Sequence, residues 1–290
     1  MKLTLDPGAA ALLDTLHAAG YAAYAVGGCV RDSLLGRTAH DWDLCTSALP
    51  QQVMELFGTE QCIPTGLQHG TVTIKYGGQL YETTTFRTEG SYTDGRHPDE
   101  VQFVPDVRED LARRDFTINA MAYNEAEGLV DPFGGQKDLQ NGLLRAVGEP
   151  QQRFTEDALR ILRLYRFAAR FGFAIDPPTA QAAQELCAHL DCVSVERIEE
   201  ELAKLLEDNL DKNSESGSQS NSGIQVYIGE ENGMQDMKDC SVVTARYDLG
   251  DGVQGTLGVV GPKRMDYEKV VGTLKNLRDQ LDAIYKKNEP

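Results

Sequence analysis

The stretch EDNLDKNSESGSQSNSG, Glu207 to Gly223, sets the first limit on what this chain of 290 residues can become. Apart from Leu210 it holds no aliphatic side chain, and it is dense in Ser, Asn and Gly. So little apolar surface cannot offset the entropy lost on ordering, and the segment reads as a flexible linker between separately folded parts. Length agrees, since roughly 150 residues per domain gives about two domains. The remaining sequence is of ordinary globular type, 41% hydrophobic and 25% charged. It contains no run of about 18 apolar residues, so neither a membrane span nor a membrane partner is expected.

The first residues, MKLTLDPGAAALLDTLHAAGY, read as a short strand and then an amphipathic helix. They lack a charged segment followed by an apolar one and a small-residue cleavage site, so no signal peptide is expected. Six cysteines contain no Cys-x-x-Cys pair and read as reduced thiols, which points to a cytoplasmic protein. The net charge of −17 argues against a generic nucleic-acid binder, although clustered acids can hide a local basic face.

Residues 20–147 alternate strand-like runs (AAYAV, TVTIKYGG, LYETTTF, EVQFV) with short helical ones, the mark of a mixed α/β sheet. From Gln151 to Leu206 the pattern turns helical. Thr155 is placed to cap a helix with Glu156 and Asp157 in its first turn, and Gly172 to close it. DPPTAQAAQELCAHL opens the next helix on its prolines. Past the linker, IQVYIG, CSVVTARYDL and VQGTLGVVGP read as strands and Met265 to Lys286 as a helix. The expected divisions are therefore 1–147, 148–206, 207–223 and 224–290, with no internal repeat.

The segment YAVGGCVRDSLLGRTAHDWDLCT carries the chemistry. Taken as a strand, AHDWDLCT points Asp41 and Asp43 to one side and Trp42 to the other. Two adjacent carboxylates repel unless a cation lies between them, and hard cations such as Mg²⁺ take oxygen ligands. Glu82 in LYETTTF is the candidate third acid of a two-metal cradle, the arrangement that drives in-line phosphoryl displacement. An isolated Asp-x-Asp is commonly a solvated strand end. Here, however, Gly27 and Gly28 precede it, and they would let a phosphate approach the backbone at the start of a helix.

GGCVRDSLLGRTAHDWDL resembles the signature of the polymerase-β-type nucleotidyltransferases, within them the bacterial-type CCA tRNA nucleotidyltransferase and poly(A) polymerase family. YETTTFRTEGSYTDGRHPDEVQFV, EDLARRDFTINAMAY, DPFGGQKDL, EDALRILRLYRFAARFGF and SVERIEEELAKLL extend the likeness in order over about residues 10–206. It implies a nucleotidyltransferase head followed by an α-helical neck. Asp41, Asp43 and Glu82 would be the catalytic acids holding Mg²⁺, with Gly27, Gly28 and Arg31 near the triphosphate. Arg114, Asp115 and Asn119 would contact the nucleotide, Asp115 at the ribose hydroxyl. Asp157 and Arg160, neighbours on one helical face, would read the base edge of CTP and then ATP, and Arg163 and Arg166 continue a basic edge suited to phosphates. The polar loop from Arg87 to Glu100 would help the switch from C to A addition; His97 in it needs no catalytic role. The activity implied is addition of CMP and AMP to the tRNA 3′ end. Poly(A) synthesis, or addition of CC or A alone, is the alternative.

Met237 to Leu281, and above all GTLGVVGPKRMDYEKVV, resembles instead the C-terminal part of the bacterial heat-inducible transcription repressors, which implies a small α+β, GAF-like fragment. No helix-turn-helix pattern precedes it, so DNA is not an expected partner. The family's continuation that grips tRNA is replaced by this segment, so weakened tRNA affinity is expected. A second alternative is thus an inactive hybrid that self-associates through residues 224–285.

Overall fold

The computed structural model describes residues 2–90, 101–215, 224–228, 240–250, 253–265 and 267–285. It divides into two compact units, Met1–Leu202 and Ala203–Pro290.

The first unit opens on α1 (Pro7–Ala18). Asp6 caps it by accepting from the amides of Gly8 and Ala9, and also takes a hydrogen bond from the Tyr81 hydroxyl at 2.6 Å. The strand expected ahead of α1 does not form. Leu3 is buried there instead, and its amide donates to the Tyr123 hydroxyl.

Seven strands build one mixed sheet: β1 (Ala23–Val26), β2 (Leu44–Thr46), β3 (Cys62–Gly66), β4 (Thr71–Tyr76), β5 (Gln79–Thr85), β8 (Ala122–Asn124) and β9 (Gly128–Val130). Their order is β3-β4-β5-β2-β1-β8-β9. Only β2 and β5 run parallel, with Leu44 beside Thr83 and Thr46 beside Thr85; the other pairings are antiparallel. β6 (Arg87–Glu89) and β7 (Val101–Phe103) form a separate two-stranded ribbon. The intervening loop that would assist the nucleotide switch falls mostly on residues 91–100, outside the described residues.

The sheet is covered on both faces, which is why β1 is buried at all four positions rather than alternating with polar residues. Ala23 and Ala25 face a cluster with Leu12, Leu16, Leu44, Val72 and Ile74. Tyr24 and Val26 face a second cluster with Cys45, Phe86, Val107 and Leu111. The connecting helices are α2 (Gly28–Leu34), α3 (Pro50–Phe57), α4 (Val107–Ala112) and α5 (Gly135–Asn141).

The helical segment contains α6 (Pro150–Glu156), α7 (Leu159–Phe171), α8 (Pro177–Glu185) and α9 (Val195–Glu215), with short parallel strands β10 (Leu143–Leu144) and β11 (Ala174–Ile175) beside them. Two expectations change here. No helix begins at Thr155, whose hydroxyl donates back to the Gln151 carbonyl inside α6. The chain instead breaks at Asp157, in extended conformation, and restarts as α7. Gly172 does close α7, in the left-handed conformation. Residues 207–215 of the expected linker are helical, the end of α9. Leu202, Leu206 and Leu210 recur one turn apart, so the helical period of α9 runs on into the polar stretch despite the weak helix formers Asp208, Asn209 and Asp211. Head and helical segment also share one apolar cluster, in which Phe154, Ile161, Leu164 and Phe167 join Leu12 and Leu44.

The second unit contains β12 (Ile224–Ile228), β13 (Cys240–Gly250), β14 (Val253–Pro262) and α10 (Tyr267–Tyr285). The three strands pair antiparallel in that order, and α10 buries Leu274 against Val243 and Ala245.

Candidate active site

Asp43 lies immediately before β2 rather than within a long strand as expected, but its carbonyl still accepts the Val26 amide at 3.0 Å. The parallel register then sets Asp43 level with Glu82 and Cys45 level with Thr84 on one face of the sheet. Trp42 turns the other way and packs against the core, leaving Asp41 and Asp43 exposed. Although Asp43 keeps contact with solvent, the protein packed around its carboxyl removes part of its hydration and pushes it up to about 6. The charge of Glu82 adds to this, Arg114 opposes it, and Asp41 contributes last. Asp43 and Glu82 line one cavity, and Asp41 stands beside it without lining it. Among the described residues no group of three or more His, Cys, Asp or Glu side chains is gathered to hold a metal ion, so the three-acid cradle is open as it stands.

Gly27 bridges β1 and α2 with φ +78°, a conformation that disfavours any side chain. A Cβ there would also come within 3.0 Å of Arg114 Nη1. Gly28 is under no such constraint, since a Cβ would meet only Arg31 at 3.6 Å.

Arg31 does not project into the cavity. It is buried, donates to Asn119 Oδ1 at 2.6 Å, pairs with Asp32 and stacks over Phe171. Asn119 in turn donates to Asp115 Oδ1 at 3.2 Å. Asp115 lines the cavity and is gripped by Arg163 through Nε at 2.9 Å and Nη2 at 2.7 Å. Arg31, Asn119, Asp115 and Arg163 therefore form one continuous network, buried at Arg31 and half-buried at Arg163 on the cavity wall, in which Arg31 supports the site from behind.

At the break between α6 and α7, Asp157 and Arg160 both line the cavity, and each already has an ionic partner. Arg197 of α9 engages both oxygens of Asp157, at 3.2 and 2.8 Å. Arg160 donates to Glu156 Oε2 at 2.8 Å and to the Arg113 carbonyl. Arg166 is a different case from its sequence reading. It is buried against Glu201 of α9, stacks over Phe167 and is not among the residues lining this cavity, so it ties two helices together.

The cavity, about 380 Å³, is completed by Thr71, Thr84, Arg87, Arg113 and Arg197, which sequence reasoning did not single out. Arg113 was within reach as the other half of the Arg-Arg pair. Arg87 and Arg197 carry no local signal, because they come to the site only through the sheet and through α9. Six arginines stand against four carboxylates on the wall, so the site as a whole suits a polyanion despite the acidic chain.

Residues 23–145 match the family described as the Poly A polymerase head domain, and residues 184–271 the HrcA protein C terminal domain. The second match begins earlier than the expected boundary at 224. A CCA-adding enzyme of Lactiplantibacillus plantarum is 51% identical over 195 residues, 67% of this chain and 47% of that protein. One from Leuconostoc mesenteroides is 44% identical over 235 residues, 80% and 56% of the two chains. Among solved structures, the Bacillus stearothermophilus CCA-adding enzyme in complex with CTP superposes with a TM-score of 0.64 at 44% identity, over 70% of this chain and 49% of that one. Residues 23–145 are a polymerase-β-type nucleotidyltransferase head. The Thermotoga maritima CCA-adding enzyme complexed with tRNA has a TM-score of 0.58 at 27% identity, over 73% of this chain and 51% of that one. The chain spans about half the length of the curated relatives it matches. No described helix is long and apolar enough to cross a membrane.

Proposed function

We propose that the chain is a template-independent RNA nucleotidyltransferase that adds CMP and AMP, from CTP and ATP, to the 3′ end of tRNA. The observation that carries this reading is the cavity wall, where Asp43, immediately before β2, and Glu82 on the parallel β5 share the lining with six arginines. In the reaction the RNA 3′-hydroxyl oxygen bonds to the α-phosphorus of the nucleotide. The bond from that phosphorus to the bridging oxygen breaks, pyrophosphate leaves, and the hydroxyl proton is released.

Asp43 and Glu82, with Asp41 beside them, would hold Mg²⁺. The donors are all oxygen, and the repulsion that helps lift Asp43 to about 6 is what a divalent cation relieves. Bound there, such ions supply activation of the attacking hydroxyl and stabilisation of the leaving oxygen. Gly27 leaves room at the end of β1 for a phosphate beside Arg114, and Arg114 Nε is buried without a hydrogen-bond partner among the described residues. A phosphate oxygen would satisfy it. Asp115 already accepts from the Phe116 amide, Asn119 and twice from Arg163, so in this reading a ribose hydroxyl would take over or share one of those four acceptor sites.

Asp157 and Arg160 supply acceptor and donor for the base. A carboxylate offers about four lone-pair sites and a guanidinium five N–H donors. Asp157 has three bonds engaged by Arg197 and the Leu159 amide, so both side chains keep capacity for a ligand while their partners hold them in place. For the second unit the same reading assigns self-association through residues 224–285.

The test is incubation with tRNA ending before CCA and labelled CTP, then ATP. We expect two CMP additions and one AMP. Asp43→Asn should lower incorporation by at least about a hundredfold, since it removes a ligand and a charge from the reacting centre. Homopolymeric AMP tails would favour the poly(A) alternative, and no incorporation by the unaltered protein would overturn the reading.

A further inference from the structure

Among the described residues of the first unit, Asp110 is the least exposed charged one, with 0% of its surface accessible. It lies in α4, outside the residues that line the cavity, and a buried carboxylate is costly unless its oxygens are engaged. Here they are engaged by the cavity's own arginines. Arg113 donates to Oδ1 through Nε at 3.0 Å and places Nη2 2.9 Å from the same oxygen. Arg114 Nη2 approaches Oδ2 at 3.4 Å. The Arg87 amide, where the chain leaves the sheet towards β6, also donates to Oδ1, at 3.3 Å. One carboxylate thus ties together the start of the Arg87 strand and two consecutive guanidinium groups, and all three arginines line the cavity.

The spacing explains why both guanidinium groups can meet one acid. Positions 113 and 114 are three and four residues after Asp110, the two separations that share a helical face. Arginine offers a planar fork of donors, so a group held through one terminal nitrogen still presents its remaining edge in a fixed direction. For Arg114 that edge includes Nε, which is buried and without a hydrogen-bond partner among the described residues, while Nη1 lies against the side-chain-free face of Gly27. A buried donor left unmade costs about 1–3 kcal/mol, which a phosphate oxygen would recover on binding.

We propose that Asp110 is the positioning residue of the phosphate subsite: it touches no substrate, and it aims Arg113 and Arg114 at the β- and γ-phosphates of the bound nucleotide. This rests on the nucleotidyltransferase reading above. It makes the subsite's preference for a triphosphate over a monophosphate depend on a side chain that lies behind it.

The experiment is isothermal titration of the full chain with CTP and with CMP, each in the presence of Mg²⁺. In Asp110→Asn, shape is kept but charge is lost and an N–H₂ faces the guanidinium groups. CTP affinity should fall about tenfold or more, as expected for hydrogen bonds to charged groups, while CMP affinity changes by about twofold or less. A general loss of structure would weaken both ligands alike, and equal losses overturn the proposal. Because Asp110 acts through Arg114, Asp110→Asn and Arg114→Lys combined should cost less CTP affinity than the sum of their single effects; full additivity overturns it. Where Asp110→Asn fails to fold by circular dichroism, Asp110→Glu decides, since it keeps the charge and shifts it by one methylene. It should lose part of the CTP preference, and an unchanged preference overturns the proposal. If the unaltered chain binds neither ligand, the nucleotide reading fails and this inference with it. If it prefers CTP and both Asp110 variants keep that preference, this inference fails alone.

Discussion

Asp115 shows at the scale of one residue how the site keeps a buried charge. Burial would push its carboxyl up. The charge of Arg163, its hydrogen bonds and those from Asn119 and the Phe116 amide more than reverse this, and hold it down at about 2. A carboxylate whose value is depressed on folding contributes stability that is present above its unfolded value, near 3.8, and is lost as pH falls towards 2. We expect Asp115 to contribute on the order of 2 kcal/mol at neutral pH. Urea unfolding curves at pH 6 and pH 2.5 should therefore converge in Asp115→Asn relative to the unaltered chain; equal pH dependence in the two would show that Arg163 does not hold this charge. The pairing also marks how far residues could be read from the sequence. Arg114 and Asp115 are adjacent and invite each other as partners, yet the actual partner of Asp115 comes 48 positions later. Arg31, expected near the triphosphate, lines no part of the cavity and lies behind its wall, because Asn119 and Phe171 are brought to it by distant parts of the chain.

Secondary structure was legible wherever local chemistry decides it. The glycine bend at Gly27, the proline start of α8, the αL closure at Gly172 and the three β-rich runs of the second unit all match their sequence signals. Elements went astray where tertiary contacts outweigh local preference. The carboxylate of Asp157 is pulled by Arg197 and caps the Leu159 amide, so one anticipated helix becomes two. Arg166 is the sharpest case. On a helix rich in arginine it reads as one more phosphate neighbour, but only 7% of its side chain is exposed, against 4% for its partner Glu201. Such a pair links α7 to α9 and so holds Arg197 against Asp157. Removing one member of a buried ion pair is costly, and Glu201→Ala should cost about 3–5 kcal/mol by thermal or urea unfolding. Arg166→Met combined with Glu201→Leu should recover much of that loss. A cost below about 1 kcal/mol for the single change would mean that the pair is effectively solvated.

For the molecule as a whole, the second unit raises a problem that its own residues do not solve. Among the described residues, β12 and β14 each pair on one side only, with β13. β14 covers ten residues, long for an edge strand, and a row of unpaired backbone donors and acceptors is a template for another strand. Val226 on β12, Val260 on β14 and Leu277 on α10 remain about two-fifths exposed, so apolar side chains accompany those edges. Burying them in a second copy removes apolar surface from water at about 25 cal/mol per Å², in addition to completing the ladder. The chain is therefore expected to sediment as a dimer at micromolar concentration. Val260→Lys places a charge on the edge, the device by which natural sheets discourage such pairing, and should shift it towards monomer. A monomer for the unaltered chain across the whole range, or a dimer indifferent to Val260→Lys, would show that β14 is not where copies meet.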